Sequence, residues 1–432
     1  MRLFKLSQFL LLTASVVLFI SPALAQTPTD AALIRQMLDR IDRLEKRVNE
    51  LEAEKLAATL NPAAPKPSPA APVEITAIKP GAMPDHVMGH DVSGTPPLDA
   101  PSYPALHIAG FSDINFQATD RKGATSGFND GQFILHLSSA LSSRVTYFGE
   151  LSLTARTDGG IGSPPATGFN VEVERSIIRF DQNDHLKVSF GRYHTPINYW
   201  NTAFHHGSWL QTTISRPEMV QFGGSLIPVH FIGAQTEGSF ALDGLNLHYN
   251  SGVGNGRGSV ISRGGDFGDI NNNRAWLVNV FAQPDHPYGL QFGASIYRDK
   301  INPAVAPAAR EWIQSAHIVW QKENPEIIAE FSNITHTGIG GTTRFNSQAW
   351  YAQVAYRIPI GDKKWKPYYR FEYIHIPRGD QIFANVSSLA GSTAGIRYDL
   401  TNFAALKFEY RNQRRPGIPR INGLFAQTSF TF

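Results

Sequence analysis

From Leu106 to the end of the chain, apolar and polar residues alternate in short runs. Arg144–Thr157 shows the pattern plainly. Val145, Tyr147, Leu151, Leu153 and Ala155 share one face, and Arg144, Thr146, Glu150, Ser152, Thr154 and Arg156 share the other. Period two predicts a strand, and roughly 9–11 residues of it, apolar outward and polar inward, would cross a membrane. A sandwich strand alternates as well, so the connections must decide. Reading backward from the C-terminus, strands are predicted at 421–432, 404–413, 389–400, 365–376, 347–358, 327–337, 312–321, 290–298, 275–283, 241–251, 219–237, 184–193, 171–182, 144–157, 129–141 and 106–119.

The connections alternate in length. Thr401–Phe403, Pro359–Lys364, Lys322–Glu326, Pro284–Gly289, Gly238–Phe240, Asn183 and Ser142–Ser143 are short. Arg414–Arg420, Pro377–Ser388, Gly338–Asn346, Asp299–Arg310, Gly252–Arg274, His194–Glu218, Asp158–Asn170 and Asp120–Phe128 are long. Short turns at one rim and long loops at the other are the pattern of an outer-membrane barrel, with the turns periplasmic. The expected fold is therefore all-β, a 16-stranded antiparallel transmembrane barrel over 106–432 with both ends of the barrel segment in the periplasm. In the last strand Leu424, Ala426, Thr428, Phe430 and Phe432 share a face; Gly423, Gln427, Ser429 and Thr431 share the other, with Phe425 its apolar exception.

Ahead of the barrel the pattern changes twice. Ile34, Met37, Ile41, Leu44, Val48 and Leu51 fall on alternating steps of three and four among charged neighbours, an a/d seam that ends at Lys55 and Ala58. A short α-helical coiled coil is expected over 26–60, with an amphipathic helix packed on another element as the alternative. The Pro- and Ala-rich stretch 61–105 reads as an extended linker. Its His86 and His90 have metal-compatible spacing, but a tether lacks the supporting groups that orient ligands. Residues 1–25 carry Arg2 and Lys5, an apolar run from Phe9, and Ala23-Leu24-Ala25. These are the parts of a secretory signal peptide.

Composition narrows the function classes. Cysteine is absent, so no disulfide scaffold is expected. Removing Arg2 and Lys5 takes the formal charge from +3 to +1 and gives no reason to expect nucleic acid. Metalloprotease, nucleophile-elbow and phosphate-loop motifs are absent, so no enzyme activity and no cofactor are expected. A barrel acting on lipids with Ser and His from separate strands would leave no local motif.

The candidate chemistry lies in the lumen. The third long loop, His194–Glu218, carries His194, Tyr199, Trp200, His205, His206, Trp209 and Arg216, and such aromatic content is poorly suited to water. It is expected to fold inward as a constriction, with an outward cap or a trimer latch as the rival. On the inward parity stand Arg144, Arg156, Arg175, Arg179, Lys187, Arg370, Arg397, Lys407 and Arg411, interleaved with Glu150, Glu372, Asp399 and Glu409. Fixed cations in a wet bore favour anions, whereas the same charges paired across the wall would only keep it hydrated. No metal site is expected. His205 and His206 are adjacent, and adjacent residues of an extended chain point opposite ways. Asp269, Asn271 and Asn273 imitate a calcium loop, yet Arg274 and Val280 stand where its Gly and bidentate Glu belong.

The order signal, coiled coil, Pro-rich spacer and barrel resembles trimeric porins of the phosphate-selective O and P type and their relatives with an N-terminal periplasmic coiled coil. So does Val188-Ser189-Phe190-Gly191-Arg192-Tyr193-His194-Thr195-Pro196, similar to a Gly-x-x-x-x-Pro strand end before the third loop. The aromatic C-terminus completes the likeness. The resemblance implies a homotrimer in the outer membrane of a Gram-negative bacterium, among lipid and lipopolysaccharide. It also implies recognition by the barrel-assembly machinery through Phe432, and passive diffusion of small hydrophilic solutes with a lean toward anions. Phosphate specificity is not implied, because acids interleave with the basic residues here. The alternative is a structural tether, with the N-terminal helix holding peptidoglycan or a periplasmic partner.

Overall fold

The computed structural model describes residues 103–156, 168–221 and 224–432. The signal peptide, coiled coil and most of the linker lie outside the described residues.

Sixteen antiparallel strands close into one barrel. They are β1 (Ala105–Thr119), β2 (Gly127–Ala140), β3 (Val145–Ala155), β4 (Phe169–Asn183), β5 (Leu186–His194), β6 (His230–Phe240), β7 (Leu247–Asn255) and β8 (Ala275–Ala282). β9 (Leu290–Ile301), β10 (Ala309–Gln321), β11 (Glu326–Gly338), β12 (Arg344–Ala355), β13 (Trp365–His375), β14 (Leu389–Asp399), β15 (Ala404–Arg414) and β16 (Ile421–Thr431) complete it. β1 pairs with β16, and Gly110 and Phe432 exchange backbone hydrogen bonds of 2.8 and 3.0 Å at the seam. Closure leaves no strand edge unpaired.

Register rows show why the sequence alternates. Ile178, Phe190, Ala234, Val253 and Trp276 are successive cross-strand partners on the outer surface of β4–β8. Ile327, Val354, Tyr369, Ala394, Tyr410 and Leu424 form a second outer row over β11–β16. On the last strand Leu424 and Phe432 point outward, 63% and 59% exposed, while Gln427 and Ser429 are buried inside.

Two strands sit differently from expectation. The runs at 219–237 and 241–251 become β6 at His230–Phe240 and β7 at Leu247–Asn255. The turn between them is not Gly238–Phe240 but 241–246, where Asp243, Gly244 and Asn246 adopt positive φ of 47°, 79° and 40°. Asn, Asp and Gly tolerate that region. The third long loop accordingly runs from 195 to 229, beyond Glu218. The alternation of connection lengths holds for the first four loops and weakens later. β9, β10, β11 and β12 extend into their loops, leaving only 302–308 and 339–343, while the turn at 356–364 is longer than expected.

The interior is not uniformly wet. Trp200, Ile197, Phe204, Met219, Val220, Leu226 and Ile227 of the third loop join Phe231, Leu277, Tyr297, Ile313, Ile334 and Tyr351 of the wall in one apolar cluster. Ile382 and Phe383, from the 376–388 loop, add to it. A wide barrel has room for water. Here a loop carrying large apolar side chains occupies that room on one side.

Candidate functional site

The third loop enters the barrel directly from β5. Thr195–Trp200 are all buried, a single helical turn follows (α1, Trp200–Ala203), and a 3-10 turn at Glu218–Val220 begins the return to β6. Irregular backbone inside a barrel leaves N–H and C=O groups without ladder partners, and each must find one. The wall supplies them. Glu330 Oε1 accepts from the N–H groups of Tyr199 and Trp200 at 2.7 and 2.6 Å. Glu409 Oε2 accepts from Ile214 at 3.0 Å, and Glu372 Oε2 from Glu218 at 2.6 Å.

The loop's carbonyls are met by cations. Lys366, Arg397 and Lys407 are register neighbours on β13, β14 and β15. Arg397 Nη1 donates to the carbonyls of Trp209 and Gln211 at 2.7 and 3.0 Å. Lys407 Nζ donates to those of Ser208, Gln211 and Thr213. Arg370 donates to the Ser215 and Arg216 carbonyls at 2.9 and 3.1 Å and to Ser215 Oγ at 2.6 Å. Lys366 instead holds Glu326 at 2.6 Å, whose carboxylate also accepts from Thr212 Oγ1 at 3.0 Å. Much of the basic wall thus satisfies the loop's backbone.

The remaining predicted residues divide between wall and rim. Arg144 lies in the turn before β3 and Arg156 just after its end, both exposed, so the strand is too short to carry either on its lumen face. Arg175 bonds Glu150 at 2.6 Å, Arg179 bonds Asp181 at 2.7 Å, Arg397 also pairs with Asp399 at 2.7 Å, and Arg411 pairs with Glu409. Lys187 stands opposite Glu237. Asp269 is held by Arg274 at 3.0 Å, and successive side-chain-to-backbone bonds link Asp269, Asn271 and Asn273, an internally satisfied polar loop.

The histidines behave differently from expectation. His205 and His206 follow a helical turn rather than an extended run, and their rings lie 4.5 Å apart on the same side, facing β4 and β5. Burial pushes the His205 imidazole well below its ordinary pKa, which keeps it neutral. Burial also lowers the Arg216 guanidinium, to about 9, with Glu174 opposing. Glu174 itself escaped sequence reading. Strict alternation through Arg175 and Arg179 sends it outward, but β4 bulges between the partners of Glu150 and Leu151, and both Glu174 and Arg175 turn inward. Asp113, Glu330 and Lys366, all buried, and half-buried Glu326 beside Lys366 are further lumen charges that the parity count passed over.

Beside the loop a cavity of about 360 Å³ remains along β1, β2, β15 and β16. Asp113, Asn115, Gln117, Asp130, Gln132, Arg411 and Gln427 line it, with Ser208, Gln211 and Arg216 on the loop side.

No protein-family model matches the chain, and no curated protein matches it. Its fold is similar to that of the anion-selective porin from Comamonas acidovorans, with 12% identity and a TM-score of 0.55 over 76% of this chain and 100% of that one. The outer membrane channel DcaP of Acinetobacter baumannii gives 11% identity and a TM-score of 0.51 over 76% of this chain and 97% of that one. The trimer form of OmpT, an outer membrane protein of Vibrio cholerae, gives 12% and 0.50 over 76% and 99%. At such identities the likeness is one of fold: an all-β barrel of sixteen antiparallel strands, with the architecture of porins.

Proposed function

We propose that this chain is an outer-membrane porin through which small hydrophilic solutes diffuse passively, and that it works as a homotrimer. The carrying observation is a closed barrel, apolar outside, with the third loop packed inside it and a cavity of about 360 Å³ left along β1, β2, β15 and β16, which we read as the solute path. The structural neighbours, an anion-selective porin, an outer membrane channel and a trimeric outer membrane protein, support the same reading. In planar bilayers the purified protein should give stepwise conductance, in triplets if each subunit of a trimer conducts. Folded protein that inserts without conducting would end the proposal.

The lean toward anions rests on Arg411 and Arg216 at the passage, opposed by Asp113 and Asp130. Arg411 is itself paired with Glu409, Arg216 donates to the carbonyls of Val220 and His205, and most other lumen cations are likewise engaged by the loop or by acids, so the preference is expected to be slight. Reversal potentials in a salt gradient measure it.

A further inference from the structure

Five side chains converge where the third loop leaves and rejoins the wall. His194 ends β5, His230 begins β6, and the two are register partners at the loop's root. His205 and His206 fold back onto them. The His194 ring centre lies 3.7 Å from that of His205 and 5.6 Å from those of His206 and His230. Glu174 arrives from the β4 bulge, with Oε1 3.3 Å from His206 Nε2 and Oε2 2.8 Å from His230 Nε2.

One ligand atom from each of Glu174, His194, His205 and His206 lies within 4.8 Å of the other three, and all four residues are buried. A tetrahedral zinc ion with bonds of about 2.0–2.2 Å holds its donor atoms roughly 3.4 Å apart, so small side-chain rotations would close the set. The surrounding groups are those that orient metal-bound imidazoles. His205 Nδ1 lies 3.1 Å from Asn201 Oδ1, and His206 Nδ1 lies 3.4 Å from Gln132 Oε1. With Nδ1 donating to each amide oxygen, both Nε2 atoms face the cluster; Arg216 Nη2, a donor only, lies 3.3 Å from His205 Nδ1 and must turn aside for that tautomer. His194 Nε2 stands 3.3 Å from Glu150 Oε2, while its Nδ1 is buried without a hydrogen-bond partner among the described residues. Ser152 Oγ donates to Glu174 Oε1 at 2.7 Å, fixing the carboxylate.

Charge is the main opposing factor. Arg216 Nη2 lies 3.3 Å from His205 Nδ1, and Arg175 is nearby on Glu150. Three neutral imidazoles and one carboxylate leave a divalent ion with a net single positive charge. Glu150 faces His194 but is already balanced by Arg175, so the ion's residual charge adds to that of Arg216 and limits affinity.

We propose that Glu174, His194, His205 and His206 bind a divalent transition ion of the zinc class. Nitrogen-rich donors select such an ion over calcium or magnesium. Four protein ligands make a closed, structural site, and ligands drawn from β4, β5 and the loop would lock the third loop to its root. His230, on the second oxygen of Glu174, orients the carboxylate.

The test uses the full mature chain without an affinity tag, folded in detergent, stripped with a chelator and titrated with Zn²⁺ or Co²⁺. One ion per chain is expected, with a tetrahedral cobalt spectrum and a higher melting temperature on reloading. His206→Gln and Glu174→Gln should each weaken binding at least tenfold, and His317→Gln, an inward histidine elsewhere, should leave it unchanged. Circular dichroism and resistance to unfolding in cold detergent verify that each variant is folded. Folded wild type that binds no ion in the micromolar range would overturn the proposal. So would folded His206→Gln and Glu174→Gln variants that bind as tightly as wild type.

Discussion

The two halves of the barrel interior are built on different principles. Along β6–β13 the wall turns Phe231, Leu277, Tyr297, Ile313, Ile334 and Tyr351 inward, and the third loop fills that side with Trp200, Phe204, Met219 and Ile227. Along β1, β2, β15 and β16 a cavity remains, lined by Asp113, Asn115, Gln132, Arg411 and Gln427, with Phe111 and Ile134 the buried apolar exceptions on the same face. The first half resembles the core of a soluble protein, stabilised by burial. The second resembles a solvated wall. Charged residues join the two: Glu330, Glu372, Glu409, Arg370, Arg397 and Lys407 bond loop backbone that would otherwise lie buried without partners. A charge facing a lumen is therefore no measure of ion selectivity until its partner is known.

The packed half should respond most strongly to substitution. Trp200 is fully buried against Phe204 and Tyr351. Trp200→Ala should cost about 3–5 kcal/mol, read as a lower thermal midpoint, and should make single-channel current noisier as the loop loosens. Glu330→Ala, which strands the N–H groups of Tyr199 and Trp200, should cost about 1–3 kcal/mol. Glu330→Gln keeps an acceptor and should cost less in the same melting experiment. In the open half, Asp130→Asn should change stability by no more than about 0.5 kcal/mol, since Asp130 is exposed. Its effect should appear in the reversal potential, shifted toward anions. Equal stability losses at Trp200 and Asp130 would erase the distinction between the halves.

Much of the wall was legible in the sequence because alternation is read directly from the pleat. The parities of β3 and β16 follow from Glu150, Ser152, Gln427 and Ser429 alone. Legibility failed where apolar residues serve something other than a strand. Met219, Val220, Leu226 and Ile227 suggested a strand, but they are loop residues buried in the lumen, since apolarity reports burial and not conformation. Leu242 and Leu245 extended a false alternation through a turn that Asp243-Gly244 could have marked. Glu174 was hidden by a one-residue bulge, which reverses the parity of everything on one side of it. The pairing of His194 with His205 depends on loop geometry that no spacing rule encodes.

The central claim is that solutes pass along β1, β2, β15 and β16 while the third loop closes the opposite side. The chain has no cysteine, so single introduced thiols report position cleanly. Asn115→Cys and Gln117→Cys line the open side; Ser332→Cys and Ser347→Cys replace residues buried in the packed one. A charged, membrane-impermeant thiol reagent added during bilayer recording should reduce conductance stepwise through the first pair and leave the second pair unmodified. Rapid block through Ser332→Cys or Ser347→Cys, with none through Asn115→Cys or Gln117→Cys, would contradict the account.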